Sequence, residues 1–245
     1  MKKMLSTVLL VLIVIGTFSF AAIKAASLGE DDNWFNANLR AKFSRSSFLR
    51  SFFALNNPGD AAFDYLVDRK QRVIIEVDAQ QGLEFSMETL AEVERQIAEI
   101  TGKIVEIRLS SVVASANRSF NDSELRQLMD NYRTASSVKS QSVFYVLLVN
   151  RYAEDPNQIG TTLGAEGSVI FADAIADLRA EKSSLEVSTI LHEFVHLLGI
   201  GHVDDEDCIM SVAIEVGGIR GRNVSTDFCP TELELIEEVK NNINH

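Results

Sequence analysis

Cysteine and proline are nearly missing from this 245-residue chain, which holds two of the first and three of the second beside 13 glycines. So few breakers exclude collagen-like and low-complexity disordered architectures, and no internal repeat or biased tract is visible. Basic residues are also in the minority, with 23 Lys and Arg against 35 Asp and Glu for a net charge of -12. No basic patch of the needed density exists, which excludes a nucleic-acid partner and leaves the acidity to serve solubility. Histidine is scarce too: there are four, and three fall within eleven residues.

Those eleven, His192 to His202, read H-E-x-x-H-x-x-G-x-x-H. On a helix over 185–198, His192 and His196 share one face a turn apart, so both imidazoles reach one ion at about 2.0–2.1 Å. Glu193 lies one step round that face, near enough to take a proton from an attacking water without ligating the metal. A continued helix would carry His202 roughly 9 Å beyond His196 at about 1.5 Å per residue. Gly199 supplies the break, because glycine tolerates the left-handed conformation that ends a helix. One Zn2+ is the expected cofactor; iron or cobalt fits the same three imidazoles, and zinc is the default for this motif. Ser183 and Glu186 have the spacing of an S-x-x-E capping box, and Leu191, Phe194, Val195 and Leu198 give the helix an apolar surface.

The N-terminal end points to export. Met1-Lys2-Lys3 precedes an uncharged, mainly apolar stretch over 4–23, positive on its leading side, so the remainder is expected to be extracytoplasmic. Residues 1–26 are either a signal peptide, with Ser19-Phe20-Ala21 as the best small-x-small match, or a retained membrane anchor, since the run reaches the approximate 20 residues of a span. Residues 27–70 differ in character, with Phe43, Phe48, Phe52 and Phe53 interleaved with Arg40, Lys42, Arg45 and Arg50. Three readings stand: a juxtamembrane helix, an interfacial helix on anionic lipid, or a propeptide over a cleft.

From 71 to 245 the pattern is that of one α+β domain. Strands are expected at 73–77, 104–109, 143–149 and 169–172; helices at 86–101, ended by Gly102, and 122–132, capped by Asn121. A final helix covers 231–242. This β-α-β-α-β-β-α order implies a mixed twisted sheet with helices packed on it, the motif helix among them.

The motif, with Cys208-Ile209-Met210-Ser211 following it, resembles the metzincin clan of zinc metalloproteases, in which a methionine turn underlies the metal. The resemblance implies a zincin fold with a small C-terminal subdomain and makes Met210 the Met-turn residue. Within the clan the chain is most similar to the archaemetzincins, whose motif continues through C-x4-C-x-M and a later C-x-x-C that hold a second, structural zinc. Cys208 and Met210 match that pattern, but Val203 and Glu232 stand where two of its cysteines belong, so a four-cysteine site is excluded. In an exported protein the remaining pair, Cys208 and Cys229, is then read as a disulfide worth roughly 3 kcal/mol in the loop-entropy model, with two buried free thiols as the alternative. No cysteine precedes Cys208, which rules out a thiol-switch propeptide.

The family likeness also implies that an edge strand on the cleft rim pairs with an extended peptide. Its counterpart here is 160–165, with Leu163, Gly164 and Ala165 as candidate substrate contacts; an ordinary glycine-punctuated loop is the other reading. Residues from Ser211 onward should line part of the primed side. The acidic run Asp204-Asp205-Glu206-Asp207 is either a solvated loop or a group that disfavours acidic substrates or binds calcium. Taken together, the resemblance implies a zinc endopeptidase acting on peptides or proteins, with Glu193 as general base. The rival is a non-catalytic metal-binding or peptide-docking surface module, which has no use for an acid that does not ligate the metal.

Overall fold

The computed structural model describes residues 2–27, 33–67, 69–114, 118–178, 181–212 and 224–244. The chain divides into two compact units, Met1–Asn56 and Asn57–His245.

In the first unit, helix α1 (Lys2–Ser27) contains a stretch, Thr7–Ser27, long and apolar enough to cross a membrane by length and composition. Short helices α2 (Trp34–Asn38), α3 (Arg40–Ser44) and α4 (Ser47–Phe53) follow. Asn33 and Ser46 cap α2 and α4, their side chains accepting the N–H of Asn36 and Leu49. Aromatic edges and faces hold this unit together: the Phe20 ring lies 5.0 Å from Phe52 and 5.7 Å from Phe53, with Phe35, Phe53 and Leu55 buried. Trp34 and Phe48 point into solvent.

The second unit is built on a five-stranded sheet. Strands β1 (Arg72–Gln80), β2 (Ile104–Val113), β4 (Gln141–Val149) and β7 (Gly167–Phe171) run parallel in the order β2-β1-β4-β7. Strand β6 (Gly160–Thr162) closes the sheet antiparallel to β7. A separate two-stranded ribbon joins β3 (Ser119–Phe120) to β5 (Arg151–Tyr152). Parallel neighbours require crossovers, supplied by α6 (Met87–Thr101) and α7 (Asp122–Tyr132). Helix α6 starts where Ser86 accepts the Thr89 N–H and ends at Gly102 with φ +68°; α7 starts with a full capping box between Asn121 and Glu124. Strands β1 and β4 are buried almost throughout, as parallel strands covered on both faces are. The layout is the mixed sheet expected from sequence, and β2 runs on to Val113 because β1 keeps pairing with it past a register shift.

The second compact unit begins at Asn57: helix α5 (Ala62–Leu66) places Tyr65 in the core, its hydroxyl donating to the Val143 carbonyl at 2.7 Å, and the Gly59 N–H donates to Leu197 O at 3.2 Å. Two expectations are corrected. The motif helix α9 runs Lys182–Leu197, preceded by helix α8 (Ala172–Asp177), and the Ser183–Glu186 capping box does not form. Glu181 is the N-cap, and Glu186 is drawn inward, where it accepts the Thr89 hydroxyl of α6 at 3.1 Å. Burial raises the pKa of the Glu186 carboxyl, against the pull of Lys182 and Thr89.

The C-terminal helix runs Pro230–Asn244 with proline in its first position, where a missing N–H costs nothing. Cys208 and Cys229 are joined by a disulfide with a Cα separation of 5.3 Å, tying the Met210 segment to the start of that helix. Serine at both positions in the full chain should lower the unfolding free energy by about 2–5 kcal/mol in denaturant melts. Unchanged stability, or free thiols in non-reducing mass spectrometry of native protein, would contradict the bridge.

Candidate metal centre

Helix α9 is buried on nearly all sides from Leu185 onward, so its two histidines start from a rigid platform. Phe194 is wedged against Tyr65 and Phe144, both at 5.1 Å between ring centroids. His192 and Glu193 are buried, His196 is half-buried and His202 is exposed. The helix ends in a Schellman arrangement: Gly199 N–H donates to His196 O at 2.9 Å and Ile200 N–H to Val195 O at 3.4 Å. Gly199 has φ +83°, and Gly59 packs backbone to backbone on it, a Cβ on Gly199 falling 3.2 Å from the Gly59 Cα. This turn brings His202 back over the helix end.

The three Nε2 atoms converge. His196 Nε2 lies 3.0 Å from His192 Nε2 and 3.2 Å from His202 Nε2. Three nitrogens bound to one tetrahedral ion at about 2.0–2.1 Å stand roughly 3.3 Å apart, so the donor set fits zinc in both kind and spacing. Two rings have their tautomer fixed from behind: His192 Nδ1–H donates to Ile209 O at 2.7 Å and His196 Nδ1–H to Ile200 O at 2.9 Å. Burial, then the neighbouring His196, pushes the His192 pKa down to about 3. The ring therefore stays neutral, with a lone pair on Nε2, throughout the physiological range.

Glu193 borders a cleft of about 340 Å³ lined also by Thr161, Thr162, His196, Gly201 and His202. One wall is β6, the sheet edge. Gly160 lies so close to the acid that a Cβ there would fall 2.7 Å from Glu193 Oε1 and 2.7 Å from Thr189 Cγ2. The edge strand is shorter than the 160–165 read from sequence. Gly164, at φ +84°, turns the chain into β7, the Leu163 N–H is taken by Gly167 O at 2.8 Å, and Leu163 and Ala165 are buried. Leu163, Gly164 and Ala165 thus form the turn, and Gly160–Thr162 carries the open edge.

Below the histidines, Met210 is fully buried, and its carbonyl accepts the Val203 N–H at 2.9 Å. Its own N–H donates to Glu232 Oε1, while Glu232 Oε2 accepts the Cys229 N–H at 2.7 Å. In the sequence Glu232 stands out only as a departure from a cysteine pattern; its spacing of three from Cys229 is the signal for the helix-start contact. Among the described residues two groups gather three metal-type donors, His192–His196–His202 and Cys208–Cys229–Glu232. The second has its sulfurs bonded to each other, which removes them as thiolate ligands. The run Asp204–Asp207 is exposed and forms a turn, with Asp205 accepting the Asp207 N–H at 3.0 Å, and does not gather into a cation site among the described residues. Of the primed-side stretch expected from Ser211 onward, residues 213–223 lie outside the described residues.

A scan against protein-family models finds no match, and neither does a search of curated proteins. Solved structures do match. Archaemetzincin from Methanopyrus kandleri aligns with a TM-score of 0.52 at 20% identity, covering 72% of this chain and 99% of that one. Metalloproteinase-II from Bacteroides fragilis gives 0.48 at 15% identity, covering 72% and 56% of the two chains. Archaemetzincin from Archaeoglobus fulgidus gives 0.43 at 16%, covering 66% and 98%. The chain therefore has an archaemetzincin-like metallopeptidase fold, with a three-histidine group at the end of its motif helix that is able to bind a metal.

Proposed function

We propose that the protein is a zinc-dependent endopeptidase holding one ion on His192, His196 and His202. What carries this reading is the convergence of three imidazoles beside the buried Glu193 carboxylate, at the foot of an open sheet edge. A zinc ion held there supplies a Lewis acid, which brings the pKa of water toward about 7 and polarises a carbonyl. Glu193 then accepts the proton of the attacking water and returns it to the leaving amine. The outer edge of Gly160–Thr162 offers main-chain groups to an extended peptide, so binding by strand addition sets the scissile bond along the wall that Glu193 shares. Met210 packs as the apolar floor. The paired sulfurs and doubly engaged Glu232 favour a single ion over two.

The apolar, exposed α1 supports an N-terminal membrane anchor with the remainder outside the cytoplasm. Phe20 of α1 packs on Phe52 and Phe53 of α4, which suits an α4 lying at the lipid surface.

Metal analysis of the full chain in detergent should give close to one zinc per chain, lost in His196→Ala; a value near two overturns the single-ion assignment. Glu193→Gln should keep its zinc and lose about 10²–10⁴-fold in peptide hydrolysis. If wild type and variant alike leave a broad peptide library intact, the non-catalytic metal-binding module is the right reading. Gly160→Ala should likewise retain zinc, yet lose roughly 10²-fold in kcat by displacing the Glu193 carboxylate. A wild-type rate in that variant would separate the edge strand from the chemistry.

A further inference from the structure

One peptide group, Ile209–Met210, is hydrogen-bonded on both sides. Its carbonyl accepts the Nδ1–H of His192 at 2.7 Å, and its N–H donates to Glu232 Oε1. Ile209, Met210 and Glu232 are all fully buried. The hydrolytic steps make no use of Glu232, and it lies outside the lining of the cleft. A carboxylate withdrawn from water is costly unless its oxygens are satisfied, so an unused one needs a reason.

Half of that reason is local. Cys229 precedes the C-terminal helix, and Glu232 in the first turn reaches back to its N–H through Oε2, an ordinary use of a glutamate at that position. The helix start, positive by its aligned peptides, also favours the anion. The other oxygen, Oε1, serves no helix group and is aimed across at the Met210 amide.

We propose that Glu232 is a positioning residue for the metal centre: through the Ile209–Met210 amide it holds His192 in the Nδ1–H tautomer, with Nε2 directed to the ion, and strengthens that nitrogen as a donor. Metal-bound histidines commonly donate their second N–H to a carboxylate or carbonyl, which fixes the ring and raises its basicity. Here one amide stands between carboxylate and ring. An amide whose N–H donates to an anion is polarised, its oxygen becomes the stronger acceptor, and hydrogen bonds in such a chain reinforce one another. His192 is the most buried of the three histidines and so depends most on a partner behind it.

This inference rests on His192 being a metal ligand, and the test separates the two. The chain has four histidines, so labelling their rings with 15N gives a readable spectrum of the metal-free full chain in detergent. Wild type should show His192 protonated at Nδ1, with that proton far downfield. Glu232→Gln should move this proton upfield and weaken zinc about 10–100-fold in chelator competition. The serine pair at Cys208 and Cys229 loosens the same region but keeps the carboxylate, and should leave the His192 resonance in place. An unmoved His192 proton and unchanged zinc affinity in Glu232→Gln, whatever its melting temperature, overturns the proposal, as does an equal shift in the serine pair. Should Glu232→Gln fail to fold, 15N-methionine labelling of wild type decides: a downfield Met210 amide coupled to the Glu232 carboxyl carbon supports the relay, and an ordinary amide shift overturns it. Wild type that takes up no zinc overturns the metal reading and this inference together; wild type that binds zinc beside an unaffected Glu232→Gln overturns this inference alone.

Discussion

Three imidazole nitrogens stand 3.0–3.2 Å from one another or from their common neighbour, and that crowding governs the molecule. A cation held among those nitrogens would need a lone pair from each ring. Carbonyls behind His192 and His196 settle the tautomer by taking the opposite proton, and burial disfavours the charged form of His192. Those carbonyls belong to Ile209 and Ile200, outside α9. The three-histidine group is therefore fixed by the helix, the turn that ends it and the segment that carries Ile209, and none of the three is sufficient alone.

Close backbone approach is how these pieces meet. Gly199 must hold a left-handed φ, and Gly59 must lie bare against it, so the chain before the sheet braces the turn that returns His202. Gly160 plays a comparable part on the other wall, where the absence of a Cβ leaves room for the Glu193 carboxylate beside the edge strand. A peptide laid along that edge would share one boundary with the Glu193 carboxylate.

Much of this was legible in the sequence because periodic signals and fixed spacings are local. The β-branched runs gave the buried parallel strands, Ser86 and Asn121 marked helix starts, and the offsets of His192, His196, Gly199 and His202 encode a one-turn separation followed by a reversal. What escaped was set by tertiary partners. Glu186 had the spacing of a capping residue but was claimed by Thr89 of α6. The open edge ended at Thr162 because Gly164, one of several glycines in view, turned out to be the reversal. Within 27–70, for which the sequence leaves a juxtamembrane, an interfacial and a propeptide reading, Tyr65 finds its acceptor 78 positions away on β4, a contact no window over the sequence contains.

The same distinction separates the two devices at the foot of the site. The Cys208–Cys229 bridge constrains the chain chiefly by limiting the unfolded ensemble, so its contribution is nearly blind to where individual atoms sit in the folded state. Glu232 acts only in the folded state and only at hydrogen-bond distance, on the peptide group that His192 contacts. A bridge alone would leave the Met210 segment near the helix start but free to choose the direction of its carbonyl; a carboxylate alone would have to order a 21-residue loop for one strong contact. The bridge offsets about 3 kcal/mol of the closure cost in the loop-entropy model, and the charged hydrogen bond adds what the bridge cannot, a direction for the Ile209 carbonyl and, through it, for the first of the three histidines.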